Sequence, residues 1–233
     1  MIPKQIHYCW FGETPPSDLM RRCIDSWHRV MPGYRVKEWN ASNSPIDNAY
    51  TKTAFRKRLW SKLSNYVRIH ALYTEGGIYL DTDVDVLRPF DPLLGDPCFL
   101  GFQLAWHPTD WVNNAVMAAR RGHPFVERCM QLTRRRFRED GQIYRSPEVS
   151  TMALKAMGLG HYWLQRLTDV RLYPTDFFYP YAWFEEFSPD RITEHTYCIH
   201  RWAGSWVKQK PLVFKMVKDF RRALGITTSR RAA

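Results

Sequence analysis

The chain has 233 residues, 45% of them hydrophobic and 24% charged, which is the balance of a globular protein with one sizeable core and excludes a disordered or collagen-like chain. Its formal charge of +11 is uneven: from Lys208 to Ala233 eight basic residues face Asp219 alone, so the body is only mildly basic. That asymmetry excludes a protein built to coat nucleic acid and fits a tail that meets an anionic membrane surface.

Residues 4–10 (KQIHYCW) are β-rich enough for a first buried strand, ended by Gly12, Pro15 and Pro16. Leu19, Cys23, Ile24, Trp27 and Met31 recur at helical spacing, and Pro32-Gly33 stops that helix before a second strand over 34–39. After a turn-rich stretch at 40–50, Leu59, Leu63, Tyr66, Val67, His70 and Tyr73 mark one stripe of a long helix closed by Gly76-Gly77. Ile78-Tyr79-Leu80 is then a short buried strand that runs into Asp81-Thr82-Asp83-Val84-Asp85. The acidic cluster thus sits where a central strand leaves the sheet, the place open α/β sheets favour for ligands. Helices are predicted over 113–119, 124–138 and 149–157, and strands over 170–173 and 197–200. Val213, Val217, Phe220 and Leu224 form the apolar stripe of a last, basic helix. The pattern is α/β throughout, with one catalytic domain over 1–210 and a basic amphipathic helix and tail over 211–233.

No apolar run approaches the roughly 20 residues of a membrane-spanning helix, and residues 1–12 hold no signal-peptide core. Five scattered cysteines without a Cys-x-x-Cys spacing imply neither a disulfide framework nor a zinc knuckle, so a cytoplasmic protein, peripheral on the inner membrane face, is expected.

In an extended chain Asp81 and Asp83 would present two carboxylates about 7 Å apart on one side, an invitation to a hard cation. An EF-hand loop starting at Asp81 would need Gly and Glu where the chain has Val86 and Pro92, so that reading fails. A phosphatase of the haloacid dehalogenase type wants Thr or Val at Asp85 and a later acidic pair that the chain lacks. A metal-bridged nucleotide diphosphate, with Mn²⁺ or Mg²⁺ neutralising the leaving group, is the remaining use of such a row.

The blocks Ile2-Pro3-Lys4-Gln5-Ile6-His7, Trp10-Phe11-Gly12, Ser64-Asn65-Tyr66-Val67-Arg68 and Gly76-Gly77-Ile78-Tyr79-Leu80-Asp81-Thr82-Asp83 resemble glycosyltransferase family 32. This DXD sugar-binding family includes capsular and exopolysaccharide transferases and yeast initiating mannosyltransferases, with clostridial glucosylating toxins as distant relatives. The resemblance implies a single GT-A domain, a UDP- or GDP-sugar donor, Mn²⁺ or Mg²⁺, retention of anomeric configuration, and a glycan or lipid-linked acceptor. It implies that Trp10 and Gly12 meet the donor base, that Asn65, Arg68, Asp81 and Asn114 contact the donor, and that Asp83 ligates the metal. Ser205 and Trp206 match a flap over the diphosphate, and His200 is the candidate third metal ligand beside Asp83 and Asp81. The family usually has Asp where this chain has Asn65, which brings no charge and puts donor identity in question. No carboxylate is assigned as catalytic base. A non-catalytic relic of the fold and a toxin-like enzyme acting on protein are the alternatives.

Overall fold

A computed structural model describes residues 1–204; the flap residues Ser205 and Trp206 and the basic helix and tail lie outside the described residues. Nine strands and six helices follow in the order β1 (Gln5–Cys9), α1 (Asp18–Val30), β2 (Arg35–Trp39), α2 (Ala49–Arg56), α3 (Trp60–Thr74), β3 (Gly77–Leu80), β4 (Val84–Val86), β5 (Cys98–Phe102), β6 (Val112–Ala119), α4 (Pro124–Asp140), α5 (Ser146–Lys155), β7 (Gln165–Leu167), β8 (Val170–Tyr173), α6 (Thr175–Phe178) and β9 (Cys198–His200). Among the described residues no helix is long and apolar enough to cross a membrane.

Seven strands form the main sheet in the order β2-β1-β3-β6-β5-β8-β7, and β4 pairs with β9 in a separate two-stranded sheet. All strands of the main sheet run the same way except β6 and β7, which are antiparallel to their neighbours. Both faces are covered. Tyr79 of β3 packs into the cluster under α2 to α5, while its neighbours Ile78 and Leu80 point into the cluster that holds Trp27 of α1 and Phe178 of α6.

The helix predicted over 113–119 is instead β6, central in the sheet and buried at every residue. Its Ala and Met residues favour helix, but a short apolar run covered on two faces has no period to read, and tertiary burial decides. The β5 strand, also buried throughout, was hidden by the same lack of alternation. The other elements predicted within residues 1–204 are present with ends shifted by a few residues.

The Gly76-Gly77 pair does more than stop α3. Both residues have positive φ, +70° and +112°; a Cβ on Gly77 would lie 2.5 Å from the Gln5 carbonyl oxygen, and one on Gly76 would lie 2.7 Å from the Arg121 amide nitrogen. The pair therefore lets β3 begin in close contact with β1, and this registers the strand that ends at Asp81.

Candidate donor and metal site

Strand β3 ends at Leu80, and the Asp81 amide still donates to the Ala115 carbonyl of β6 at 2.8 Å. The chain then turns sharply, with the Val84 amide donating to the Asp81 carbonyl at 3.0 Å. The extended spacing expected for the two carboxylates is corrected by this turn, which folds them toward one another before β4 departs for its partner β9. Antiparallel register sets Val84 opposite His200. In consequence ligand atoms of Asp81, Asp83 and His200 all lie within 4.8 Å of one another.

Asp83 is buried rather than exposed. Its Oδ1 lies 3.2 Å from His200 Nε2, its Oδ2 accepts from the Ala203 amide at 2.7 Å, and its carbonyl accepts from the Arg201 amide at 2.9 Å. Burial pushes the Asp83 carboxyl up, but the His200 imidazole and the Ala203 amide outweigh it and hold the group below the usual carboxylate range. Trp202 packs on His200 with ring centroids 4.0 Å apart, donates from its indole to the Tyr181 carbonyl at 2.9 Å, and takes φ +49° to do so. A bulky residue in the left-handed region is strained, so the turn after β9 is clamped by its contacts on both sides.

Asp85 points elsewhere. Its carboxylate is bound by the Arg201 guanidinium, consistent with a structural role for the third carboxylate of the row.

Arg68 occupies the floor of the site. Its side chain is 7% exposed, and it donates to the Asn114 carbonyl at 2.6 Å and to Asp81 Oδ1 at 3.0 Å, with its guanidinium 4.4 Å over the Tyr79 ring. Burial opposes its charge, yet Asp81 above all reverses that, and its pKa is raised. The Tyr79 hydroxyl donates to the same Asp81 oxygen at 3.0 Å. Asp81 Oδ2 therefore has no protein donor among the described residues.

Asn114 is fully buried in β6, its amide nitrogen donating to Ser150 at 2.7 Å and its Oδ1 without a partner. It underlies Arg68 rather than lining an open surface. Asn65 lies one helical turn before Arg68, half-buried, beside a small cavity shared with Tyr50, Tyr144, Ser146 and Ser150. Trp10 and Gly12 leave β1 at the same sheet edge as Asp81 leaves β3, because the two strands are parallel. Trp10 is half-exposed with its indole donating to the Thr14 carbonyl at 3.1 Å, and Gly12 has φ +95° against the indole of Trp60.

Tyr79, Arg201, Trp202 and the Ala203 amide were not assigned roles from sequence. Tyr79 could have been found, since a residue two before Asp81 on a strand shares its face. The other three belong to a turn whose partner, Asp83, lies more than a hundred positions earlier in the chain.

Two carboxylates and an imidazole make a donor set for a divalent cation, with Nε2 the His200 ring nitrogen that lies against Asp83 and Nδ1 buried without a hydrogen-bond partner. Residues 17–100 match the family model described as "Glycosyltransferase sugar-binding region containing DXD motif", and residues 118–218 match "Alpha 1,4-glycosyltransferase conserved region". The chain is 31% identical over 133 residues to inositol phosphoceramide mannosyltransferase 3 of Schizosaccharomyces pombe, covering 54% of this chain and 35% of that protein. It is 31% identical over 157 residues to lactosylceramide 4-alpha-galactosyltransferase of Mus musculus, covering 60% of this chain and 40% of that one. The chain thus spans well under half the length of these two relatives. Among solved structures, the galactosyltransferase LgtC in complex with donor and acceptor sugar analogs aligns over 97% of both chains with a TM-score of 0.50 and 13% identity. The PaToxG glycosyltransferase aligns over 66% of this chain and 69% of its own with a TM-score of 0.53 and 19% identity. The two family models, each matching less than half of the chain, both describe glycosyltransferases, and the mixed α/β architecture is that of GT-A enzymes such as LgtC.

Proposed function

We propose that the chain is a metal-dependent, retaining glycosyltransferase that moves a hexose from a nucleotide-diphosphate sugar to a glycolipid or lipid-linked glycan. The observation that carries this reading is the convergence of Asp81, Asp83 and His200 beside a buried, charged Arg68. A bound Mn²⁺ would supply Lewis-acid neutralisation of the leaving diphosphate. Asp83 and His200 are the residues to hold it, and Asp81 has a free carboxylate oxygen for a metal or for donor hydroxyls. Arg68, kept charged and oriented by Asp81 and the Asn114 carbonyl, contributes a fixed positive charge to the same pocket without reorganisation. Trp10 at the neighbouring strand end offers a ring to the donor base.

Retention follows if the donor is an α-linked nucleotide sugar, because the family model over 118–218 is described by an α-1,4 linkage. The relatives' names place their action on ceramide lipids, which supports a lipid-anchored acceptor and, with the basic tail, a position at an anionic membrane surface. The test is a melting screen of the full chain with UDP- and GDP-sugars, with and without Mn²⁺, followed by detection of released nucleoside diphosphate. One donor should raise the melting temperature only with Mn²⁺ and be slowly hydrolysed. Stabilisation by no donor, with no nucleoside diphosphate released, would leave a non-catalytic relic of the fold.

A further inference from the structure

On the helical side of the sheet, away from the acidic turn, α4 lines a groove of about 810 Å³ with the start of α2, Met157 and the Thr168–Asp169 turn. The groove is basic. Arg128, Arg134 and Arg138, all exposed, lie along one side of α4 over nearly three helical turns, about 15 Å, and none makes an ion pair among the described residues. Arg135 beside them is shared only with Glu139 at 3.7 Å. Of the carboxylates in the wall, Asp169 is already held by His123 at 3.0 Å and Arg120 at 3.9 Å, leaving Glu127 as the opposing charge. Residues 205–233 could add only the Asp219 side chain as a partner.

A row of unpaired guanidinium groups is expensive to keep together and is matched by phosphate, which accepts their paired donors. Of the aromatic residues of the groove, Tyr50 is 1% and Phe125 is 2% exposed, both committed to the core, and the half-buried Phe137 is set edge-on against Tyr50 with ring centroids 5.6 Å apart. Single-stranded nucleic acid would want those faces open, so the surface recognises phosphate charge alone. We infer that the arginine face of α4 docks this enzyme on the phosphate headgroups of an anionic lipid surface, independently of the basic tail. Tyr50 lines both this groove and the small cavity beside Asn65, so a bilayer held here would lie next to the helix that carries Arg68. The inference does not require the proposed transfer reaction, because its test reads lipid binding and not turnover.

The test is co-flotation of the full chain with phosphatidylcholine vesicles and with vesicles containing phosphatidylglycerol, at low and high salt. Wild type should float with the anionic vesicles only, and less so at high salt. Arg134→Glu with Arg138→Glu should lower that partition at least about tenfold while leaving the melting temperature unchanged. A milder set, Arg128→Gln, Arg134→Gln and Arg138→Gln, covers the case in which charge reversal disturbs the helix, and should also lose binding. A full-length variant with Lys215, Lys218, Arg221 and Arg222 changed to Gln separates the two surfaces and should keep measurable binding that the α4 changes then remove. Equal flotation of the α4 variants and wild type would overturn the inference. So would equal binding to neutral vesicles, or tighter retention by a short duplex nucleic acid than by anionic lipid.

Discussion

Asp83 and His200 meet at 3.2 Å although 117 positions separate them, because β4 leaves the main sheet and pairs with β9 in a register that sets Val84 opposite His200. Neither residue's place depends on the other's side chain. The strand pairing and the Ala203 amide would survive a change at Asp83 that keeps its shape.

Asp83→Asn therefore should remove metal-dependent donor hydrolysis by at least about a hundredfold while the melting temperature falls by about 3 °C or less. Asn can still accept from Ala203, so the fold keeps its clamp. Mn²⁺ should stabilise wild type in a melting assay and leave the variant unmoved, and chelation should make wild type behave like the variant. Asp85→Asn should be milder for turnover than Asp83→Asn, since its carboxylate is already bound to Arg201. Turnover of Asp83→Asn near the wild-type rate in saturating Mn²⁺ would remove Asp83 from the chemistry.

Arg68→Met should cost about 3 kcal/mol of stability as well as activity. The variant leaves the part-buried Asp81 beside Tyr79 without its cation and strips the buried Asn114 carbonyl of a donor, and breaking a largely buried pair is costly. Urea unfolding at neutral pH measures it. A change below about 0.5 kcal/mol would mean that the guanidinium is solvated in solution.

These two cases show what could be read from the chain before its fold was known. The order of strands and helices around Asp81 and the row Asp81-Thr82-Asp83 lie within local patterns of period 2 or 3.6, while the relation of Arg68 to that row is implied only by the resemblance to a known family. The error at β6 and the missed β5 have one physical cause: strands covered on both faces lose the alternation that identifies a strand. The clamp on Asp83 by Arg201 and Ala203 is a long-range turn contact, and no spacing in the sequence encodes it. Trp202's positive φ is likewise a tertiary outcome, since nothing in the local sequence there favours a left-handed residue.

Asn65→Asp should change donor use, either raising turnover with a common hexose donor or shifting preference among donors. Asn65 stands one turn from Arg68 and lines a small cavity with Ser146, whose hydroxyl can serve a new carboxylate. Competition kinetics across UDP- and GDP-sugars measure the shift. Unchanged kcat/KM for every donor would place the donor sugar away from this face of α3.

Gly77→Ala should destabilise by about 3 kcal/mol or more, although the residue carries no chemistry. The added methyl would meet the Gln5 carbonyl oxygen at 2.5 Å at a φ of +112°, so both backbone strain and a clash with β1 oppose it. Gly33→Ala, with nothing within 4 Å, is the matched control and should change stability little. Comparable melting temperatures for the two variants would show that β1 and β3 can separate at that end without cost.

The last expectation concerns acid. Glu75, at the end of α3, accepts from Gln5 of β1 at 2.6 Å and from Lys37 of β2 at 2.5 Å, and so ties the helix that carries Arg68 to β1, the neighbour of β3, and to β2 beyond it. Partial burial pushes its carboxyl up, but the hydrogen bonds from Lys37 and Gln5 and the Lys37 charge outweigh that and hold it below the usual range. A carboxylate whose folded-state pKa is depressed lends stability that is fully present above its unfolded value, about 4.3, and is lost as pH falls through the folded value. Wild type should therefore lose stability below about pH 4.5. Glu75→Gln should be less stable at pH 7 by about 1 kcal/mol, a modest figure because the pair is partly exposed and screened. The gap between the two should close as the pH falls below 4, since the neutral amide has no charge to lose. Urea midpoints from pH 7 to pH 3 measure it. A gap that stays constant across that range would mean that Glu75 acts through shape and hydrogen bonding alone, and that the coupling of α3 to β1 and β2 is not electrostatic.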